Sequence, residues 1–186
     1  MTTVFLSGSR KISRLNEMIR SRISKMINQG FQIILGDANG ADKALQKFLA
    51  DVRYSNVVVF CSGQNCRNNI GGWKVRQVSV DSKLKGRDFH TQKDKKMATE
   101  ADYGFVLWDG KSPGSINNVL ELLKRGKSIV VYFSPEKQFH TISNLDDANK
   151  LLEKCDKDAI GNISRKIKLS TSIKELEKTV QGNLNL

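Results

Sequence analysis

Four short loops rich in glycine, serine and aspartate hold most of the side chains that could do chemistry. They read SGSR at 7–10, GDANGAD at 36–42, CSG at 61–63 and DGKSPGS at 109–115. Glycines let a backbone approach a ligand closely, and free N–H groups at a helix start favour an anion. Such loops suit a phosphate-bearing ligand, although glycine, serine and aspartate are also the ordinary residues of turns and helix caps.

Each loop offers a different group to such a ligand. Gly114 and Ser115 precede the apolar run INNVLELL and would give a phosphate backbone N–H groups and a hydroxyl. Arg10 would add a bidentate guanidinium contact. Three carboxylates could accept from ribose hydroxyls or a base edge: Asp37, Asp42 and Asp109.

The sequence excludes two common nucleotide-binding motifs, argues against a zinc site and leaves the role of one tryptophan open. The sequence has no GxxxxGK[ST] motif and no GxGxxG after the first apolar run, which excludes a P-loop NTPase and an ordinary NAD or FAD fingerprint. The spacing of Cys61, Cys66 and His90 is poor for zinc, so we expect plain thiols, no metal and no cofactor. Trp73 could belong to a lid over the ligand and stack on a base, or it could simply pack within a turn.

Apolar patterning indicates which elements position these loops. Strands are predicted at 3–7, 31–35, 56–60, 103–108 and 128–133, with an extended segment at 73–80. Helices are predicted at about 15–27, 41–51, 91–100 and 116–125. Near-continuously apolar strands separated by helices are typical of a Rossmann-like, doubly wound, mainly parallel α/β sheet with helices on both faces. Ligands of such sheets bind beyond the carboxyl ends of the strands, where the four loops should converge.

Charge and composition narrow the class of protein further. The net charge is +12 over 186 residues, and the first hundred residues carry 18 Lys and Arg against 8 Asp and Glu. This basic field would attract phosphates on nucleotides or on nucleic acid, unless it is only a solvated surface. No apolar run reaches the length of a membrane span, and the start does not resemble a signal peptide. With three cysteines, we expect a cytoplasmic protein with reduced thiols.

Three motifs in this order resemble the SLOG superfamily: GSR at 8–10, GDANGAD at 36–42 and WDGKSPGS at 108–115. That Rossmann-like group includes the DNA-processing protein A fold, the LONELY GUY phosphoribohydrolases and the YspA/YpsA-like nucleotide-binding proteins. The resemblance covers roughly residues 3–134 and is closest to the YspA-like branch. It implies a nucleotide or nucleotide-derived ligand held by Gly8, Ser9, Arg10, Gly36, Asp37, Ala38, Gly40, Asp42, Lys93, Asp109, Gly110, Ser112, Gly114 and Ser115.

The same resemblance raises an enzymatic possibility. LONELY GUY enzymes cleave the N-glycosidic bond of nucleoside monophosphates with RKxxM and PGGxGTxxE segments. Here the corresponding segments read KDKKM at 93–97 and SPGSINNVLE at 112–121, without the first arginine, the Gly-Gly pair or the Gly-Thr. Asp94 and Glu121 are then the candidate catalytic carboxylates, and turnover stays open.

The expected organisation is a nucleotide-binding domain at 1–142 and a small helical C-terminal extension at 143–186, packed on the sheet. The expected partner is a nucleotide-like small molecule, with no membrane; self-association into a homo-oligomer is left open. Two other functions are kept as alternatives: a non-catalytic nucleotide sensor, and a DNA-binding protein that resembles DNA-processing protein A.

Overall fold

The computed structural model describes residues 1–184, and the side chains of residues 1–177, as one sheet with helices on both faces. The strands are β1 (Thr3–Gly8), β2 (Gln32–Leu35), β3 (Val57–Ser62), β4 (Lys74–Val78), β5 (Tyr103–Trp108), β6 (Ile129–Phe133) and β7 (Gln138–Ile142). The helices are α1 (Glu17–Asn28), α2 (Ala41–Asp51), α3 (Gly86–Glu100), α4 (Pro113–Leu123), α5 (Leu145–Glu153), α6 (Lys157–Ile167) and α7 (Leu169–Leu184). No helix in the described range is long and apolar enough to cross a membrane.

The seven strands follow the order β4-β3-β2-β1-β5-β6-β7. All neighbouring pairs are parallel except β6 and β7, which are antiparallel. The chain runs outward from β1 to β4 and then returns through α3 to place β5 beside β1. The sheet therefore changes direction between β1 and β5, which is where such sheets open a crevice for a ligand. The predicted Rossmann-like architecture is confirmed.

Alternation along the strands divides the core into two layers. In β1, Val4 and Leu6 face the layer under α1 and α2, while Phe5 faces the layer under α3 and α4. All three side chains have no exposed surface. Because both faces of the strand are covered, its sequence is apolar throughout instead of alternating with polar residues.

The three C-terminal helices pack on the α3 and α4 side of the sheet. Leu151 of α5, Ile163 of α6 and Leu176 of α7 are buried in the same core as Val119 of α4. The division of the chain at residue 142 stays a prediction, and residues 185 and 186 of the predicted extension lie outside the described residues.

Three features differ from the sequence predictions. The helix predicted at 91–100 begins earlier, at Gly86. The sequence pattern does not predict its first turns, because they carry few apolar residues. The helix predicted at 116–125 begins at Pro113, an ordinary first helical position for proline. Strand β7 was not predicted, because this edge strand mixes exposed and half-buried residues and ends on a single fully buried one, Ile142.

Candidate functional site

A cavity of about 830 Å³ opens where the sheet changes direction, beyond the carboxyl ends of β1 and β2. Ten of the sequence-predicted site residues line it: Gly8, Arg10, Gly36, Ala38, Asp42, Lys93, Asp94, Ser112, Gly114 and Ser115. Eleven further residues complete its wall: Phe5, Ser7, Arg67, Gly86, Arg87, His90, Thr91, Met97, Pro113, Asn118 and Lys166. Three of the four predicted loops thus meet at one cavity, and the loop after β3 contributes through Arg67.

Four buried polar atoms in the wall of this cavity have no hydrogen-bond partner within the described residues. They are Ser7 Oγ, Arg87 Nη2, Ser115 Oγ and Asn118 Oδ1. Ser7, Ser115 and Asn118 are each at least nine-tenths buried. A buried polar atom without a partner is costly and uncommon in folded proteins, so four in one wall point to a polar occupant.

The first turn of α4 forms one side of the cavity. Its N-cap, Ser112, makes no side-chain capping bond, because its hydroxyl lies 2.8 Å from Ser9 Oγ instead. The backbone N–H groups that such a cap would satisfy are left for another acceptor. Together with the Ser115 hydroxyl, this helix start has the donors that a phosphate requires.

Positive charge surrounds the same space. Five side chains of the wall are cationic: Arg10, Arg67, Arg87, Lys93 and Lys166. Only two are carboxylates, Asp42 and Asp94. An anionic ligand is therefore favoured over a neutral or cationic one.

Lys93, Asp42 and Asp94 form a buried ionic cluster in this wall. Lys93 Nζ lies 2.7 Å from Asp94 Oδ1, and Asp42 Oδ2 accepts a hydrogen bond from the Ala38 N–H at 3.1 Å. Gly36 makes this arrangement possible, since a Cβ at that position would lie only 2.5 Å from both Lys93 Nζ and Asp42 Oδ2. The close approach explains why glycine ends β2.

Burial and charge shift the protonation of this cluster in opposite directions. Desolvation raises the pKa of Asp42 to about 6, only partly opposed by the nearby Lys93 charge. Burial alone would lower the pKa of Lys93, but Asp94 and Asp42 hold it above its usual value. Desolvation, followed by the charges of Arg67 and Lys93, lowers the pKa of His90. Lys93 therefore stays cationic, while His90 is neutral at physiological pH.

Asp37 does not line the cavity and instead anchors the loop after β3. Burial would raise its pKa, but the hydrogen bonds from Arg67 lower it below the usual value. Arg67 Nη2 lies 2.6 Å from Asp37 Oδ1, and the Arg67 N–H and Nε both donate to Oδ2 at 3.1 Å. Asp37 thus positions the Arg67 guanidinium in the wall, and its predicted role as a ligand acceptor stays a prediction.

The remaining predicted binding residues hold loops together. Asp109 accepts from the Ser9 hydroxyl at 2.7 Å and from the Ser112 N–H at 2.7 Å, so its oxygens are engaged within the protein. Gly40 has φ +81°, and a side chain there would collide with the Arg10 backbone. Gly110 has φ +73° in the turn before α4. These residues shape the cavity from behind its lining.

Of the two predicted catalytic carboxylates, only Asp94 lies at the cavity. Glu121 sits further along α4, where its Oε2 accepts from Arg125 Nη1 at 2.9 Å. That ion pair explains how Glu121 is buried. Glu121 does not line the cavity, and a catalytic role for it stays a prediction.

Two other expectations concern residues around β3. Cys61 and Cys66 form a disulfide, contrary to the expected free thiols. Their sulfurs and an Asp37 oxygen lie within 4.8 Å of one another, but the disulfide and the Arg67 pairing leave that group unsuited to a metal. Trp73 donates from Nε1 to the Tyr54 carbonyl at 2.8 Å and does not line the cavity, so the packing interpretation is the right one.

Sequence reasoning missed several residues of the wall. Ser7 and Asn118 are polar residues within largely apolar elements, and a polar residue in a buried run is a usable signal of a functional site. Arg87 and His90 were missed because the start of α3 was placed too late. Lys166 comes from α6, and no local pattern in the sequence connects that helix to the loops.

Comparison with known proteins supports the fold. No protein-family model and no curated protein sequence matches this chain. Among solved structures, DNA processing protein A from Helicobacter pylori, studied for its single-stranded DNA binding mode, is similar with a TM-score of 0.54 and 16% sequence identity. The match covers 90% of this chain and 80% of that one. At this identity the similarity establishes a shared Rossmann-like fold.

Proposed function

We propose that this protein binds a nucleotide or nucleotide-derived small molecule in the cavity beyond β1 and β2. The phosphate would lie at the start of α4, against the Ser115 hydroxyl and the guanidinium of Arg10. Asp42 is the one predicted acceptor that lines the cavity, and it would serve ribose hydroxyls or a base edge.

The observation that carries this proposal is the group of unpartnered buried atoms described above. Two hydroxyls, one guanidinium nitrogen and one amide oxygen are turned away from every partner that the described protein offers. A ligand with both donors and acceptors, and with a negative charge, would satisfy them. A volume of about 830 Å³ is also of the size that small-molecule sites have.

An enzymatic form of this function would be hydrolysis of the N-glycosidic bond. Asp94 would be the carboxylate that stabilises positive charge at the anomeric carbon, because it lines the cavity, with its Oδ1 2.7 Å from Lys93 Nζ. Asp94→Asn should then keep nucleotide affinity within a few-fold and lower turnover by about a hundred-fold or more. Without turnover by the native protein, the function is that of a sensor.

The deciding experiment is incubation with a panel of nucleoside mono-, di- and triphosphates. Mass spectrometry then measures retained ligand, free base and ribose phosphate. Retention alone indicates a sensor, and release of free base indicates a hydrolase. The proposal is contradicted if no member of the panel is retained and none releases free base.

Single-stranded DNA is the second candidate ligand. The solved protein with the similar fold binds single-stranded DNA, and the first hundred residues of this chain carry most of its positive charge. Five cations around one cavity could hold a strand as well as a single phosphate. A competition experiment tests whether the two ligands share a site. A mononucleotide that displaces the oligonucleotide stoichiometrically occupies the same site.

A further inference from the structure

The disulfide between Cys61 and Cys66 lies directly behind the cavity wall. Cys61 belongs to β3 and is fully buried, whereas Cys66 lies in the loop that follows and is partly exposed. The next residue along the chain is Arg67, which lines the cavity. Any movement of Cys66 is therefore transmitted to Arg67 through a single peptide unit.

The disulfide is one of several ties that hold this loop in place. Within the described bonds, Gly63 donates to the Val78 carbonyl and the Gln64 carbonyl accepts from Gln77, both before Cys66. From Arg67 onward the loop is tied to the β2–α2 loop instead, through Asp37. The Asn68 carbonyl accepts from Gln46 of α2, the Ile70 N–H donates to the same side chain, and the loop then rejoins β3 through β4. Beside these contacts, the disulfide adds a covalent tie to β3 directly before Arg67.

We propose that Cys61 and Cys66 are a redox-active pair whose disulfide, together with the Asp37 contacts, holds Arg67 in the cavity wall, so that reduction loosens this wall and weakens nucleotide binding. The inference rests on the proposed function and adds a form of regulation to the same site. Arg67 is the link because it both contacts Asp37 and contributes a cation to the cavity.

The reaction is an exchange with a dithiol reductant. One reductant thiolate attacks the partly exposed Cys66 sulfur, and the Cys61 sulfur leaves as a thiolate and takes up a proton. The second reductant thiol then closes the reductant's own disulfide and releases Cys66. Two electrons and two protons pass to the protein, which ends with two thiols.

The first test counts thiols and measures affinity. Alkylation under denaturing conditions should modify one cysteine of the air-oxidised protein, Cys155, and all three after reduction with dithiothreitol. Calorimetry with AMP, GMP, CMP and UMP as probes should show about a ten-fold loss of affinity on reduction. Cys66→Ser should bind as weakly as the reduced protein under both conditions.

A matched control and a ligand-free measurement complete the design. Cys155→Ser should respond to reduction as the native chain does, because Cys155 lies on the C-terminal side, away from the cavity. Amide hydrogen exchange of peptides covering 36–42 and 67–73 should accelerate on reduction.

The outcomes separate this inference from the proposed function. Three alkylated cysteines in the oxidised protein, or unchanged exchange in both segments, overturn the redox switch. If exchange accelerates while neither form retains any nucleotide, the switch of the wall stands and the proposed ligand is wrong. If nucleotide binds equally to both forms within about two-fold, control of binding by the pair is overturned.

Discussion

A buried hydroxyl without a partner has lost its water and gained nothing in return, which costs about 1–3 kcal/mol of stability. Ser115 is such a residue, with 3% of its surface exposed at the start of α4. Its position is explained if the hydroxyl is satisfied only when a ligand is bound. The unfavourable state of the free protein then becomes part of the affinity for the ligand.

The first prediction concerns this hydroxyl. Ser115→Ala should lower nucleotide affinity by about ten-fold or more, since a hydrogen bond to a charged phosphate contributes roughly 1.5–3 kcal/mol. Stability should not fall, because the hydroxyl has no partner within the described protein. Calorimetry and urea denaturation measure the two quantities, with the exposed Ser128→Ala as control. Full affinity in Ser115→Ala would move the phosphate away from α4.

The second prediction concerns the protonation of Asp42. Its pKa of about 6 in the folded protein exceeds the ordinary value of 3.8, so the folded state holds the proton more tightly than the unfolded state. Stability from this group is present at low pH and is lost as pH rises through about 6. Between about pH 4.5 and pH 7 the loss amounts to about 2 kcal/mol.

Asp42→Asn removes this dependence. The free energy of unfolding of the variant, relative to the native chain, should rise by about 2 kcal/mol over that pH range. Urea denaturation at several pH values measures it, and Asp51→Asn at the exposed end of α2 is the matched control. A constant difference between variant and native chain would show that Asp42 is not desolvated as the structure places it.

At the scale of elements, the glycine that follows β2 lets the Asp42 side chain of α2 and the Lys93 side chain of α3 approach each other beyond the end of the strand. The third prediction is that Gly36→Ala destabilises the fold by about 1–3 kcal/mol and lowers nucleotide affinity, because the added Cβ displaces Asp42 and Lys93. Gly161→Ala in α6 is the matched control. It meets no atom within 4 Å, so it should be neutral or add up to about 1 kcal/mol of stability. Urea denaturation of both variants measures the change in the free energy of unfolding that each substitution causes.

The elements also show how far the sequence can predict this molecule. Strands β1, β2, β3, β5 and β6 are apolar on both faces, so their positions follow from composition alone. The edge strands β4 and β7 lack that signal, because most of their residues are exposed or only half-buried. Convergence of the loops after β1, β2 and β5 followed from the parallel topology.

What the sequence could not predict is which loop residues face inward. Asp37, Asp42 and Asp109 are equivalent as sequence, yet only Asp42 lines the cavity. The difference arises from partners distant in the chain, since Arg67 engages Asp37 and Ser9 engages Asp109. Pairing across 30 and 100 residues depends on the assembled sheet and leaves no local pattern.

At the scale of the whole molecule, most of the net charge of +12 lies in the first hundred residues, which carry 18 Lys and Arg against 8 Asp and Glu. A field of this sign speeds the approach of any phosphate compound and does not select among them. Selection therefore depends on the shape of the cavity and on its unpartnered atoms. A small set of unpartnered donors and acceptors fits one small anion better than a continuous strand.

The last prediction uses salt to separate these ligands. A single strand that neutralises five cations would release condensed counterions, giving a slope of about −3.5 for the logarithm of affinity against the logarithm of salt concentration. A mononucleotide has no condensed counterion atmosphere, so only screening weakens its binding and its slope should be shallower than about −1.5.

We expect the shallow slope for the best nucleotide of the panel. We also expect a weaker affinity for an oligodeoxythymidine of about 20 nucleotides than for that nucleotide at physiological salt. Fluorescence anisotropy across a salt series measures the affinity for the oligonucleotide, and calorimetry across the same series measures the affinity for the nucleotide. Tighter binding of the oligonucleotide with the steep slope would assign the cavity to single-stranded DNA instead.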